Sequence, residues 1–319
     1  MWAHAALSVD KYEDLHEHFY QRARKYAERD EMRGHGETMV TVAHTQMWFL
    51  VSAYEFKMTF FPRAWQSTGR ATRLAMMLSM HRLDGRGTDV KQCLPPPRDW
   101  IDQEERRRTF WMVFCEDRYA SIGTGWPMNI DETDIKTDLP VDQESWDKGI
   151  ERKGTSLTEA LSSDGASQLS SFGGVVVMAC LFGRNLNHLH RQHPDSDDDS
   201  ASNNSFWRRH RTLDNILLNV SIGLPDHLRV PNALDDPNVV FVNMCIHTAT
   251  ICLHQAAIFK ADREKLPSNI SAESKVRCIT AAGEIASIMR IIACKEINLV
   301  SLTDVSGDQQ VSHAHPYPG

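Results

Sequence analysis

DQEERRRTFWMVFCEDR, residues 102–118, decides the fold of this 319-residue chain. Acidic residues come first, where they favour the positive end of a helix. Asp102 and Glu105 have the spacing of a capping box, with Asp in place of the usual Ser or Thr. Phe110, Trp111, Val113 and Phe114 then supply a core-facing side, so the stretch predicts an amphipathic helix that ends near Gly123. Arg106, Arg107 and Arg108 fan over about 200° of that helix. One of them is therefore expected to pack or pair inward and the others to meet water, while Glu104 and Glu105 cancel the local charge. Asp117 lies three residues beyond Phe114 on the core side and needs a cation; Arg73 is the expected partner.

Working towards the N-terminus, Asp84–Pro97 carries two glycines and three consecutive prolines and predicts a connection. Before it, Ala64, Thr68, Ala71, Ala75, Leu78 and Arg82 form one stripe of a helix that begins near Arg63, widened by Trp65, Leu74 and Met77 into the arc of a buried helix. A preceding helix is expected from about Thr38 to Phe60, with Val42, Met47, Leu50, Val51 and Tyr54 inward and Pro62 as its stop. From Ser8 to Arg29, Tyr12, Leu15, Phe19, Arg22 and Tyr26 recur at three- and four-residue steps and predict one amphipathic helix closed by Gly34 and Gly36.

Towards the C-terminus, residues 148–174 are rich in Ser and Gly and predict a surface linker or insertion. Helices are expected over Phe172–His190, Phe206–Asn219, Val239–Lys260 and Ala272–Lys295, with an acidic, solvated loop at 194–205 and a frayed or truncated tail at 303–319. No alternating run bounded by turn signals predicts a strand, so the fold class is all-α, a multi-helix domain over residues 1–302.

Composition narrows the function. Hydrophobic residues are 41% and charged residues 24%, which disfavours global disorder. The net charge of -7 works against a surface that neutralises phosphates, so the chain by itself is expected to bind DNA poorly. Seven widely spaced cysteines set mostly in apolar runs point to reduced core residues. No apolar run reaches the roughly 18 residues of a membrane span, the closest being Phe172–Phe182, and no membrane partner is expected.

The chemistry-bearing residues do not assemble into a catalytic or metal site. Closely paired cysteines are absent from the sequence, and Cys245/Cys252 and His247/His254 point about 200° apart around one helix, so four zinc ligands do not converge there. His188, His190 and His193 lie at a helix end and predict a solvated, cation-favoured C-terminus. Asp195, Asp197, Asp198 and Asp199 raise the alternative of an all-helical, magnesium-dependent prenyl-diphosphate enzyme. Such a segment must project into a core cavity, whereas this one is flanked by Pro194 and a Ser/Asn run. No phosphate loop, nucleophile elbow or metalloprotease helix appears, and no catalytic residue, cofactor or metal is assigned to the chain.

The order of residues across 63–140 is distinctive. Ala64, Trp65, Gly69, Ala71, Arg73, Leu74, Ala75, Leu78, His81 and Arg82 come first. After a loop follow Glu105, Arg106, Arg107, Arg108, Phe110, Trp111, Asp117, Arg118, Ser121, Gly125, Pro127, Ile130, Asp134, Ile135, Leu139 and Pro140. This order resembles the fungal-specific transcription factor domain, the middle homology region of binuclear zinc-cluster regulators. Weaker similarity extends to Gln46–Tyr54, Leu224–Leu228, Val239–Phe259 and Cys278–Met289. Two departures stand out: Ser79 and Met80 precede His81 where the family has Gly and Leu, and Trp126 replaces the family's Arg in Gly-Arg-Pro.

The resemblance implies a nuclear regulator in which this domain controls transcription through effector sensing, intramolecular inhibition or co-regulator contact. It implies as partners transcriptional co-regulators, the regulator's own DNA-binding module, a small-molecule effector and a second copy of the chain. It places zinc, and the reading of DNA, in an N-terminal six-cysteine cluster outside this chain, which is expected to be part of a longer protein. A cluster-free coregulator is the remaining alternative.

Overall fold

The computed structural model describes residues 1–85, 93–162, 165–190 and 199–295, and among them all regular structure is helical. The helices are α1 (Trp2–Leu7), α2 (His16–Glu31), α3 (Val42–Lys57), α4 (Phe61–Met77), α5 (Trp100–Thr124), α6 (Gln143–Asp147), α7 (Leu157–Ala160), α8 (Ser171–His190), α9 (Asp199–Gly223), α10 (Pro237–Arg263) and α11 (Ser268–Lys295). The consecutive pairs α3–α4 and α10–α11 each pack together, and α5 and α8 run against one another between them. One core joins these layers, and Val175 to Leu181 of α8 are all buried in it. A second, small cluster of Leu234, Val240, Ile288 and Ile292 seats α11 on α10.

Local chemistry sets the boundaries. Asp99 caps α5 by accepting from the Asp102 amide, so the helix begins two residues before the expected Asp102, and Gly125 ends it in the left-handed region at φ 75°. Thr41 caps α3 through the His44 amide. Pro62 does not act as a stop; it sits in the first turn of α4, where its missing N–H costs nothing. The expected stripe Ala64, Thr68, Ala71, Ala75 and Leu78 is buried. Those small side chains let α4 lie close to its neighbours.

The N-terminal expectation is corrected. Residues 8–29 are not one helix but a 3-10 turn at Asp10–Leu15 followed by α2, and Tyr12, Leu15 and Tyr26 are exposed. The buried side of α2 instead carries Tyr20 and Ala27. It meets a polar seam: Tyr20 stacks on Tyr54 at 4.5 Å and donates to Glu55 at 2.6 Å, and the fully buried Glu55 also accepts from Ser67 at 2.6 Å and Arg24 at 3.1 Å. A polar interior face inverts the hydropathy pattern.

Further corrections fall in the C-terminal half. The stretch 148–174, expected as a surface linker, seats Leu157, Ala160, Ala166, Leu169 and Phe172 in the core, since small residues fill gaps that hydropathy counting overlooks. Of the acidic loop expected at 194–205, residues 194–198 lie outside the described residues and Asp199 already opens α9. The tail at 303–319 also lies outside them. By length and composition α10 could cross a membrane. Its Val239, Val242, Ile246, Ala249, Leu253 and Ala257 are buried within the helical core.

His188 is not solvated at a helix end. It is 6% exposed, stacked on Phe206 at 4.4 Å and 6.1 Å from His210, whose ring in turn lies 5.2 Å from His254; His193 lies outside the described residues. Neither nitrogen of His188 has a hydrogen-bond partner among the described residues, and burial holds both His188 and His210 down to about 4. The unfolded chain, with imidazoles near 6.5, binds more protons between pH 6.5 and 4, so folding stability falls as pH drops through that window. Stability read from urea denaturation should be about 5 kcal/mol lower at pH 4.5 than at pH 7 on account of this pair. The His188→Leu, His210→Leu double variant should flatten that dependence.

Candidate functional site: an arginine lattice and the cleft beside it

The family-like residues converge on α5. Glu104 is fully buried, and its carboxylate accepts from Arg107, from Arg108 Nε at 3.1 Å and from the Val141 amide at 3.0 Å. Asp102 holds Arg106 through Nε at 3.2 Å and Nη2 at 3.0 Å, while Arg106 Nη1 donates to the Pro95 carbonyl at 2.8 Å. Arg107 reaches Asp84 at 2.7 Å, and Arg108 donates to the Val141 carbonyl at 2.9 Å and lies 5.0 Å from the Trp146 ring. All three arginines are therefore engaged, against the expectation of a single inward one. The fan of about 200° is matched by carboxylates on more than one side of the helix.

Farther along α5, Asp117 accepts from the Asn129 amide at 3.0 Å, from Asn129 Nδ2 at 2.8 Å and from the Ile130 amide at 3.2 Å. Its cation is Arg118 at 2.7 Å, not Arg73, which is exposed on α4. The proposed Arg73 pair is thus replaced by a neighbour whose side chain bends back: Arg118 lies 4.3 Å from the Phe114 ring and donates to the Ile130 carbonyl at 2.6 Å. Ser121 donates to the Asp117 carbonyl at 2.7 Å, and Trp111 to the Asp138 carbonyl at 2.7 Å. Residues 126–142 form an irregular strap with no strand partner, and α5 side chains satisfy much of its buried backbone.

The other family-like residues surround this seam. Glu105 accepts from Gln46 at 3.0 Å, Phe110 and Leu139 are buried, and Ser170 donates to the Pro140 carbonyl at 2.9 Å. His81 is buried, its carbonyl accepting from the Lys136 amide at 2.7 Å, and Arg82 lies 3.6 Å from Asp134. Trp126, the departure from Gly-Arg-Pro, meets Trp65 edge-on at 5.3 Å, an apolar contact in place of a polar one. Gly69 faces open space, Pro127 is exposed, and Gly125 supplies the left-handed helix end.

A cleft of about 490 Å³ opens along the strap, lined by Asp84, Glu132, Lys136, Asp138, Ser156 and Arg184 among others. Asp84 belongs to both structures: it accepts from Arg107 and Gln103 on α5 and from the Asp138 amide at 2.9 Å. Burial, and then the neighbouring Asp84, pushes the Asp138 carboxyl above its usual range. Glu132 accepts from Arg184 at 3.0 Å and from the Cys180 thiol at 2.9 Å, and burial pushes that thiol up to about 12. Burial thus leaves no thiolate at the cleft, and Asp84 and Glu132 on its wall are bonded to other protein groups.

Sequence reasoning missed Asp84 and the role of Glu104. The signal for Glu104 was present, because Glu104–Arg108 and Asp102–Arg106 have the four-residue spacing of helix ion pairs. Asp84 had no comparable signal, since its partners are 19, 23 and 54 residues away.

Two stability outcomes follow from this geometry. Glu104→Ala strands buried guanidinium groups and should cost roughly 3–5 kcal/mol, against about 1 for removing the α5 cap with Asp99→Ala, both read from urea denaturation. A double-mutant cycle of Arg73→Ala and Asp117→Ala should be additive within about 0.5 kcal/mol, because the two side chains do not meet.

Residues 3–206 match the fungal specific transcription factor domain. The pigment biosynthesis transcriptional activator pigB of Monascus ruber is 28% identical over 309 residues, covering 95% of this chain and 54% of the relative. The citrinin biosynthesis transcriptional activator mrl3 of Monascus ruber is 29% identical over 80% of this chain and 49% of the relative. The ascochitine biosynthesis cluster transcriptional regulator of Didymella fabae is 31% identical over 58% of this chain and 32% of the relative. The chain thus spans about half the length of the first two. No solved structure matches it. With its all-helical architecture and the family-like residues gathered along α5, the chain belongs to the fungal specific transcription factor domain family.

Proposed function

We propose that the chain is the regulatory part of a longer nuclear transcription activator that controls the genes of a biosynthetic pathway. The observation that carries this reading is the family match over residues 3–206 together with relatives named as biosynthesis activators. It displaces the prenyl-diphosphate alternative. In this reading DNA is read by a zinc cluster elsewhere in the longer protein, and the chain performs no catalysis and holds no metal of its own. Its work is effector sensing, intramolecular inhibition or co-regulator contact.

The cleft supports the first of these. A polar effector lodged beside Asp138 would compete for Asp84, which also anchors Arg107 of the lattice, so occupancy and the packing of α5 would be linked. Mobility-shift titration of the isolated chain at physiological salt should show no sequence-specific complex, and tight sequence-dependent binding would overturn the division of labour. Fused to a heterologous DNA-reading module, the chain should change reporter output relative to that module alone; identical output would sink the regulatory reading. Helical circular dichroism and Tm should be unchanged in chelator, a loss of either reversing the metal-free assignment.

A further inference from the structure

The outer face of α4 is chemically one-sided. The helix, FPRAWQSTGRATRLAMM, contains Arg63, Arg70 and Arg73 and no Asp or Glu, within a chain of net charge -7. Arg63, Gln66, Arg70, Arg73 and Met77 follow three- and four-residue steps and so share one face. The opposite side is buried through Ala64, Thr68, Ala71 and Ala75, which fixes this stripe outward.

The cations along it differ in how far they are already satisfied. Arg24 of α2, at the edge of the stripe, is bound to Glu28 and to buried Glu55, each at 3.1 Å, and Arg70 to Glu31 at 3.1 Å. Both also lie over the ring of buried Trp48, at 5.3 and 4.4 Å, which holds their guanidinium planes in place. Arg63 and Arg73 have no ion pair with any described carboxylate, although Arg63 lies over the Phe60 ring at 5.1 Å and reaches the Tyr20 hydroxyl. Between α2 and α4 runs a groove of about 340 Å³ lined by Arg24, Pro62, Arg63, Gln66, Ser67 and Arg70. The start of α4 adds to the positive potential, having no side-chain cap and no acidic residue in its first turn.

Apolar side chains bracket the cations. Phe60 and Phe61 stand 39% and 47% exposed at one end and Met77 41% at the other. Along the helix, Arg63 and Arg70 are separated by about 10 Å and Arg63 and Arg73 by about 15 Å. A single small anion cannot span that distance, whereas carboxylates spaced along a peptide can. A helical segment with acids at i, i+7 and i+10 reproduces the spacing, and apolar residues beyond them meet Phe60, Phe61 and Met77.

We propose that the outer face of α4, with the α2–α4 groove beside it, is a docking surface for an acidic peptide segment that carries apolar side chains. Charge complementarity names the occupant: Arg63 and Arg73 carry no ion pair with a described carboxylate, Arg70 stays half exposed beside Glu31, and a peptide's acids would meet them while its apolar side chains cover Phe61 and Met77. The contact would serve co-regulator binding, the acidic segment belonging to a separate protein. It stands on the chemistry of α4 rather than on the regulatory reading, so peptide binding and reporter output fail separately.

The test is fluorescence anisotropy with the full chain and a labelled, roughly 15-residue helical peptide bearing Glu at i, i+7 and i+10 and Leu between them, at physiological salt. Saturable binding is expected, weakened about tenfold or more in the Arg63→Gln, Arg73→Gln variant. Both positions are exposed, so the variant should keep its circular dichroism and Tm, which are measured alongside. The same peptide with Lys in place of Glu should not bind. Absent saturation, equal binding by the variant or equal binding of the Lys peptide would overturn the proposal. Displacement by citrate at matched carboxylate concentration would also overturn it, assigning the groove to a small anion instead.

Discussion

Glu104 sits at 0% exposure on a helix buried along most of its length, and a carboxylate in that position is tolerable only while its cations are in place. Arg107 and Arg108 supply them, and neither bond forms unless α5 is helical and the strap reaches Val141. Arg107 in turn requires Asp84, from the turn after α4. The charge on Glu104 therefore ties three parts of the chain, residues 84, 104–108 and 138–141, into one arrangement. An apolar residue at 104 would pack without imposing any of those positions.

The same logic recurs on the other side of α5. Glu55 of α3 accepts from Tyr20 and Arg24 of α2 and from Ser67 of α4, which ties the three helices together. Among the described residues, nearby Glu116 has no ion pair, and one of its oxygens has no hydrogen-bond partner. Burial first, and then the negative charge of Glu55 and Asp117, holds its carboxyl well above the usual carboxylate range. Burial without a guanidinium group in reach favours its neutral form.

How much could be read from the chain follows from this chemistry. The stripe Ala64, Thr68, Ala71, Ala75, Leu78 and the run Phe110 to Phe114 were legible because apolar residues there face an apolar core. The face of α2 was not, because Tyr20 and Arg24 turn towards buried Glu55 while Tyr12 and Tyr26 turn to water. A run of arginines on one helix looks like surface, yet the acids that bury Arg106 to Arg108 lie three, four and 23 residues away. Asp117 was correctly placed inward but wrongly paired. The bonds it accepts come from a strap 12 and 13 residues on, which no helical period encodes.

A domain whose interior is held by directed charge pairs has few intermediate packings. Apolar contacts can slide by fractions of an ångström at small cost, but a guanidinium group either meets its carboxylate or is stranded. Asp84 is where that discreteness comes nearest to solvent: it lines the cleft, and its two oxygens are divided between Arg107 and Gln103 on one side and the strap amide of Asp138 on the other. A change at the cleft mouth that alters the charge or position of Asp84 would leave Arg107 with Glu104 as its one carboxylate among the described residues. The lattice thus ties Asp84 at the cleft wall to the position of α5 and its strap through bonds that are either made or broken.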